Sequence, residues 1–268
     1  MPVFAACLLK KGCGFVAAFF EGGIMENIND YERIDDLLIG GLCIIQDTRG
    51  FCFGTDAVLL SDFADIKKGD AVMDFCTGSG VIPLLLHAKT DAGKIFGLEI
   101  LPHMADMAQR SVALNKIDNV RIVCGDLKNA PKIFGHEVFD AVTCNPPYER
   151  DGGGLKNPDD FKAISRHEIM CTLSDVVKNA AAVLKYGGRF FMVHRANRLT
   201  DVFCTMREYA IEPKRMRLVA PSAGKAANLV LIEGMKGGGA FLKTEPTLYI
   251  YNENREFTEE INRIYERS

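Results

Sequence analysis

The stretch Ala71–Gly80, AVMDFCTGSG, decides the fold of this chain. The apolar run Ala71–Phe75 is typical of a buried strand, and the glycines after it allow a tight turn that brings the backbone close to a ligand. Apolar residues at helical spacing then continue over Val81–Lys89, with Pro83 in the first turn, where proline is tolerated. The pattern predicts a strand, a glycine loop and a helix, in that order.

The alternation of strands and helices continues along the chain. Further strands are predicted at Lys94–Ile100, Val120–Cys124, Val138–Cys144 and Arg189–His194, and further helices at Pro102–Asn115 and Leu173–Lys185. This order predicts an α/β fold with a mainly parallel sheet and helices on both faces. Ligands of such sheets bind beyond the carboxyl ends of the strands, so functional residues are expected directly after each strand.

The glycine loop fits S-adenosylmethionine better than a dinucleotide. A dinucleotide loop has a third small residue for close packing of the helix, and Pro83 occupies that position here. The carboxylate of Asp74 would repel a pyrophosphate, whereas it would attract the ammonium and sulfonium groups of S-adenosylmethionine. Asp74, Thr77, Gly78 and Gly80 are therefore predicted to contact this cofactor.

Acidic residues also follow the next two strands. Glu99 ends the second predicted strand and is placed to accept hydrogen bonds from both ribose hydroxyls of the cofactor. Asp126 follows the third strand and would accept from the adenine amino group, with Leu127 packing on the ring. Each acid alone could equally be a solvated turn carboxylate. Acids at three successive strand ends favour a site for a cation.

The fourth predicted strand leads directly into Asn145-Pro146-Pro147-Tyr148. Two prolines fix the backbone and leave carbonyl groups exposed beside the cofactor crevice. The side-chain oxygen of Asn145 and the carbonyl of Pro146 could accept both hydrogens of an NH2 group, which would direct the nitrogen lone pair toward a methyl donor. Tyr148 could stack on a planar substrate and favour the positive charge that develops on nitrogen. All four residues are predicted to be catalytic, and the alternative is a rigid proline turn.

Taken together, these residues resemble the class I amino-methyltransferases. The resemblance implies a Rossmann-like sheet of seven mostly parallel strands, with the last strand reversed. No metal is expected in the site, because the cysteines and histidines have no metal-binding spacing.

Other segments resemble the bacterial tRNA (adenine-6-amino) methyltransferases of the tRNA1(Val) group. These segments are Glu32–Leu37, Ile44–Gln46, Phe53–Leu60, Arg166–Glu168, Tyr186–Arg189 and Asn228–Gly234. The resemblance implies methyl transfer from S-adenosylmethionine to the 6-amino group of an adenine in tRNA. It further implies that Thr55 and Asp56 border the methionine end of the cofactor, although both could instead cap the following helix.

Two other functions remain open. A methyltransferase that acts on a glutamine side-chain amide of a translation factor would use the same Asn-Pro-Pro-Tyr acceptors, but such enzymes carry a sizeable helical domain in front of the core. A catalytically idle RNA-binding protein on the same scaffold would show decay in the cofactor or acceptor residues. The sequence shows no such decay.

Charge and composition limit the partners. With 268 residues, 48% of them hydrophobic, and a net charge of -3, the chain is typical of a globular protein, and any nucleic acid must bind a local basic patch. The patch predicted for tRNA comprises Arg195, Arg198, Lys214, Arg215 and Arg217, with Lys225 following. Residues 1–24 are predicted to be a non-essential extension, and residues 25–268 a single domain.

The nine cysteines are odd in number and never form a CxxC pair, and the five histidines have no metal-binding spacing. Structural zinc is therefore not expected, and reduced thiols suit a cytoplasmic protein. The uncharged run Gly12–Phe20 is too short to span a membrane. No membrane association is predicted.

Overall fold

The computed structural model of the protein describes residues 28–49, 53–146 and 171–265, and an eight-stranded sheet forms its centre. The strands of the described residues are β1 (Glu32–Asp36), β2 (Cys43–Asp47), β3 (Ala71–Phe75), β4 (Lys94–Glu99), β5 (Val120–Cys124), β6 (Phe139–Cys144), β7 (Leu184–Arg195), β8 (Ile211–Ala220), β9 (Leu229–Lys236) and β10 (Lys243–Tyr249). The large sheet has the order β10-β8-β9-β7-β6-β3-β4-β5, and β1 and β2 form a separate hairpin.

The large sheet confirms the predicted α/β, Rossmann-like fold. Its neighbouring strands run parallel except β9, which is antiparallel to both β7 and β8 and is the expected reversed strand. The expected number of seven strands was wrong, because β10 pairs in parallel with the edge of β8. Only Leu248 of β10 is buried, so this strand has no hydrophobic alternation that could have predicted it.

Helices cover both faces of the sheet. They are α1 (Thr55–Phe63), α2 (Val81–Lys89), α3 (Pro102–Leu114), α4 (Ala130–Phe134), α5 (Leu173–Val183), α6 (Leu199–Glu208) and α7 (Glu259–Ile264), with short 3-10 turns at Leu127–Asn129 and Ala196–Arg198. Helices α1, α2, α3 and α7 pack on one face, and α4, α5 and α6 on the other. Phe190 and Phe191 of β7 are buried on opposite faces, as the alternation of a strand requires.

The hairpin of β1 and β2 docks against α3 through polar side chains. The amide of Cys43 donates to Oδ1 of Asn115 (2.9 Å), and Nδ2 of Asn115 donates to the carbonyl of Cys43 (2.6 Å). The hydroxyl of Ser111 accepts from the amide of Ile45 (3.0 Å). Helix α3 therefore satisfies the open edge of β2 in place of a third strand.

The bounds of β3, β5 and α2 match the prediction residue for residue. The predicted extension, residues 1–24, lies outside the described residues. None of the helices in the described part of the chain combines the length and apolar character that a membrane span requires.

Candidate active site

The candidate active site lies at the carboxyl edge of the large sheet. Phe75 at the end of β3 pairs with Leu98 of β4 on one side and with Cys144 of β6 on the other. Because these strands are parallel and end side by side, the glycine loop after β3, Glu99 at the end of β4 and Asn145 after β6 come together.

The glycine loop uses left-handed backbone at Cys76 (φ +57°), Gly78 (φ +57°) and Gly80 (φ +84°). Gly80 caps α2 and approaches α3 so closely that an added Cβ would lie 3.0 Å from Cβ of Ala108. Both the conformation and the space therefore require glycine at Gly80.

Gly97 of β4 supports the same loop, and the sequence analysis did not identify it. A Cβ at Gly97 would lie 2.8 Å from Oγ1 of Thr77 and 2.8 Å from Cδ1 of Ile122. Glycine at this position lets the Thr77 side chain cross β4. An isolated glycine inside an apolar run was the available signal, since it often marks a close approach of another segment.

Glu99 ties the glycine loop to the start of α3. The amide of Gly78 donates to its Oε2 (2.9 Å), and the amide of Leu101 donates to its Oε1 (3.0 Å). The residue is buried. Each carboxylate oxygen retains a further lone pair, so these bonds are compatible with the predicted binding of ribose hydroxyls.

Asp74 lies beneath the glycine loop, where it is fully buried, and its Oδ1 accepts a hydrogen bond from the hydroxyl of Thr143 (2.6 Å). Burial raises the pKa of Asp74 to about 7, the hydrogen bond from Thr143 opposes this shift, and the negative charge of Glu99 adds to it. Without a ligand, this raised pKa reduces the negative charge that Asp74 carries at neutral pH, and a cation bound beside it would lower the pKa again. Contact of Asp74 with the cofactor stays a prediction.

Two buried oxygen atoms beside the loop bear on whether these residues fit S-adenosylmethionine. The Thr77 hydroxyl is near enough to lower the pKa of Asp74, yet Oγ1 of Thr77 and Oδ2 of Asp74 make no hydrogen bond of normal geometry within the described residues. Buried polar atoms are normally hydrogen-bonded, so the pair has unused acceptor capacity directly beneath the loop. The donors of an ammonium group match this capacity, and the residues therefore fit the cofactor.

Asp126 and Leu127 follow β5. Oδ1 of Asp126 accepts from the amide of Lys128 (2.9 Å) and so caps the 3-10 turn, and the Lys128 ammonium lies 3.5 Å from Oδ2. Leu127 is buried in the core cluster that contains Phe75. Only 6% of Leu127 is exposed, which limits the predicted contact with an adenine ring to one edge of the side chain.

Helix α1 runs parallel to α2, because Lys89 at the end of α2 pairs with Asp62 near the end of α1 (3.2 Å). The first turn of α1 therefore lies at the same edge of the sheet as the first turn of α2. Thr55 is the first residue of α1, and Oδ1 of Asp56 accepts from the following backbone amide (3.1 Å). A Cβ at Gly54 would lie 2.6 Å from that Oδ1. Asp56 thus stabilises the start of the helix, and contact of Thr55 and Asp56 with the cofactor stays a prediction.

Gln46 and Asp35 hold the segment that leads into α1, a role that the sequence analysis missed. Nε2 of Gln46 donates to Oδ2 of Asp35, and Oε1 of Gln46 accepts from the amide of Phe53 (3.1 Å). Both side chains are buried. Gln46 directly follows the apolar run Cys43–Ile45, and this position was the available signal in the sequence. A buried side-chain amide without hydrogen-bond partners would be costly, so its partners were to be expected.

Asn145 and Pro146 follow β6, where Asn145 is half-buried and Pro146 is buried. The Asn145 side chain makes no hydrogen bond to any described residue, so its amide oxygen can accept from a ligand. Pro147 and Tyr148, the other predicted catalytic residues, lie outside the described residues.

Three thiols lie under this turn. Cys76 and Cys171 pack against the core cluster that contains Cys144. Hydrogen bonding to Cys144 raises the pKa of Cys76, burial raises the pKa of Cys144, and hydrogen bonding to Cys76 raises the pKa of Cys171. These thiols therefore stay protonated and pack as small apolar groups. Within residues 28–49, 53–146 and 171–265, no group of three or more His, Cys, Asp or Glu side chains could hold a metal ion.

The predicted basic patch does not form one open surface. Lys214 donates to the carbonyls of Gly239 (2.8 Å) and Ala240 (3.1 Å), Arg215 pairs with Glu233 (2.6 Å) and Glu245 (3.2 Å), and Arg217 pairs with Glu260 (2.8 Å). Only 21% of the Arg215 side chain and 16% of the Arg217 side chain are exposed, because these arginines join β9, β10 and α7 to β8. Arg195 and Arg198 lie at the carboxyl end of β7, and Arg198 pairs with Asp201 (2.6 Å).

Comparison with known proteins agrees with this geometry. The family model described as "Methyltransferase domain" matches residues 66–225. A solved structure of a predicted O-methyltransferase from Agrobacterium tumefaciens superposes with a TM-score of 0.65 at 21% identity, over 80% of this chain and 97% of that one. The structure of TYW2 from Pyrococcus horikoshii in complex with MeSAdo gives a TM-score of 0.54 at 15% identity, over 78% and 73%. The chain is therefore a class I S-adenosylmethionine-dependent methyltransferase.

Curated relatives narrow the class. A tRNA1(Val) (adenine(37)-N6)-methyltransferase of Bacteroides thetaiotaomicron is 30% identical over 184 residues, which span 67% of this chain and 74% of that protein. The enzyme of the same name from Actinobacillus succinogenes is 28% identical over 217 residues, or 80% and 89% of the two chains. This chain belongs to the tRNA1(Val) (adenine-N6) methyltransferase family, which confirms the resemblance seen in the sequence.

Proposed function

We propose that this protein transfers a methyl group from S-adenosylmethionine to the exocyclic 6-amino group of an adenine in tRNA. The observation that carries the proposal is the position of Asn145 and Pro146, which follow β6 directly beside the glycine loop of β3. The enzymes named above, to which the chain is similar, act on tRNA adenine by name.

The acceptor residues act on the amino group of the target base. An aromatic NH2 group is a poor nucleophile because its lone pair is delocalised into the ring. When Oδ1 of Asn145 and the carbonyl of Pro146 accept its two hydrogens, the lone pair turns toward the methyl donor without a strong base. Pro147 would keep this backbone rigid, and Tyr148 would stack on the base. Holding nitrogen and methyl carbon in line supplies much of the remaining rate effect.

S-adenosylmethionine supplies an electrophilic methyl group on a sulfonium when it is bound. Thr77, Gly78 and Gly80 would lie along it, and the carboxyl of Asp74 would meet its ammonium group. At the other end, Glu99 would accept from its ribose, Asp126 from its adenine amino group, and Leu127 would touch the adenine ring. We also propose contact of Thr55 and Asp56 with its methionine end.

The tRNA partner needs positive charge near this edge. Arg195 and Arg198 are the members of the predicted patch that we retain as RNA contacts, because they follow β7, the neighbour of β6. Lys214, Arg215 and Arg217 are bound to carbonyl or carboxylate groups of the protein itself. A tRNA substrate agrees with a cytoplasmic enzyme, with residues 25–268 as its single domain.

The test is to incubate the protein with radiolabelled S-adenosylmethionine and tRNA from a strain that lacks the gene, and to separate the nucleosides after digestion. We expect the label in N6-methyladenosine. Label recovered in a glutamine side chain of a translation factor, and none in tRNA, would favour the amide methyltransferase. RNA binding without any transfer would favour the idle RNA-binding protein.

A further inference from the structure

The carboxyl edge of the large sheet is divided by charge. The acidic side chains Asp74, Glu99 and Asp126 follow β3, β4 and β5, whereas the basic side chains Arg195, Arg198 and Lys225 follow β7 and β8. Strand β6, with Asn145 and Pro146 after it, separates the two groups. Beyond β8, the segment after β10 carries Glu253, Arg255 and Glu256, so the basic part of the edge ends there.

The turn between β8 and β9 belongs to this edge. Leu229 at the start of β9 pairs with Arg195 at the end of β7 and with Val219 near the end of β8. The carbonyl of Asn228 accepts from the amide of Ala196 (3.2 Å), which joins the turn to the 3-10 turn after β7. Strand β9 is two strands away from β6, so the turn lies roughly 10 Å to the side of Asn145.

Lys225 is exposed in this turn and makes no ion pair with any described residue. By contrast, Arg198 pairs with Asp201, and most of the lysines and arginines on β7 and β8 bind carboxylate or carbonyl groups. The pKa of the neighbouring His194 is lowered to about 4, mainly by burial and in addition by the positive charges of Arg198 and Arg195. This half of the edge therefore attracts anions.

Resting on the proposed function, we propose that the RNA strand carrying the target adenine crosses the basic half of this edge, and that Lys225 binds a phosphate next to the target nucleotide. The acidic half then holds the cationic cofactor and repels phosphates, so the division of charge sets the direction in which the RNA enters. The open ammonium of Lys225 contributes to binding without breaking any internal ion pair. Lys214 contributes little, because its ammonium already binds two carbonyls near the opposite end of β8.

The test compares tRNA binding of the wild type, Lys225→Gln, Lys214→Gln and Lys243→Gln over a range of salt concentrations. Lys243 is the matched control, because it is an exposed lysine at the start of β10, at the opposite edge of the sheet. Loss of one phosphate contact should reduce the slope of log K against log salt by about 0.9 for Lys225→Gln. The ratio of wild-type affinity to Lys225→Gln affinity for tRNA should therefore fall by about 3.5-fold between about 50 and about 200 mM salt.

We expect wild-type slopes for Lys214→Gln and Lys243→Gln, and wild-type affinity for S-adenosylmethionine in all three variants. A wild-type slope in Lys225→Gln, or an equal reduction in Lys243→Gln, overturns the inference while the proposed function stands, provided that the wild type methylates tRNA. If the wild type neither binds nor methylates tRNA, both the inference and the proposed function fail.

Discussion

Replacing Asp74 with asparagine should remove a pH dependence of stability that burial creates. The folded state raises the pKa of Asp74 from 3.8 to about 7. A raised pKa means that the folded state holds the proton more tightly, so the stabilisation is complete below about pH 4 and is lost as the pH rises through 7. Between about pH 5 and about pH 8, the wild type should lose roughly 2.5 kcal/mol from this group, and the asparagine variant should not.

Urea unfolding followed by circular dichroism at these two pH values measures the effect. The free energy of unfolding of Asp74→Asn relative to the wild type should rise by roughly 2.5 kcal/mol from the lower to the higher pH. Asp126→Asn is the matched control for the loss of a carboxyl at the same edge, since Asp126 is partly exposed there. An equal difference between Asp74→Asn and wild type at both pH values would refute the raised pKa of the buried carboxyl.

Three further outcomes are expected. Glu99→Gln should weaken S-adenosylmethionine binding by about 10- to 100-fold in calorimetry, because a charged acceptor that orders Gly78 is lost; an unchanged affinity would remove Glu99 from the site. Gly97→Ala should also weaken cofactor binding, since its Cβ displaces Thr77, while Gly239→Ala, with nothing within 4 Å, should not; equal effects would contradict the packing argument. Arg217→Gln should lower the free energy of unfolding by about 1–3 kcal/mol and leave the salt slope of tRNA binding unchanged, and a flatter slope would return Arg217 to the RNA surface.

The sequence predicted the part of the fold whose strands are buried on both faces. The strand Ala71–Phe75 and the glycine loop after it were predictable, because continuous apolar runs and glycine turns are local signals. Strand β10 was not, because it pairs at an edge through its backbone with one buried side chain, Leu248. The hairpin of β1 and β2 was not predicted either, although most of β2 is buried. Its edge is completed by Ser111 and Asn115, which lie 66 and 72 positions away from their partners in the chain, and no local pattern shows such contacts.

The candidate site was predictable in its residues more than in their charges. Glu99 and Asn145 lie at the strand ends where parallel topology requires them. The pKa of Asp74 depends on its burial and on the hydrogen bond from Thr143, which is 69 positions away in the chain. No local sequence pattern could therefore have predicted it. The pairing of Arg217 with Glu260 is equally non-local, and for that reason a basic run in the sequence overstated the charge available to RNA.

We propose that Asn145 and Pro146 hold the amino group of the substrate next to the bound cofactor. The test measures single-turnover methylation of tRNA and calorimetric binding of S-adenosylmethionine together on Asn145→Ala. Methyl transfer should fall by about 100- to 1000-fold, as when one stabilising group of a reaction centre is removed, while cofactor affinity stays at the wild-type value. Transfer at the wild-type rate, or a loss of cofactor affinity as large as the loss of transfer, would contradict the claim.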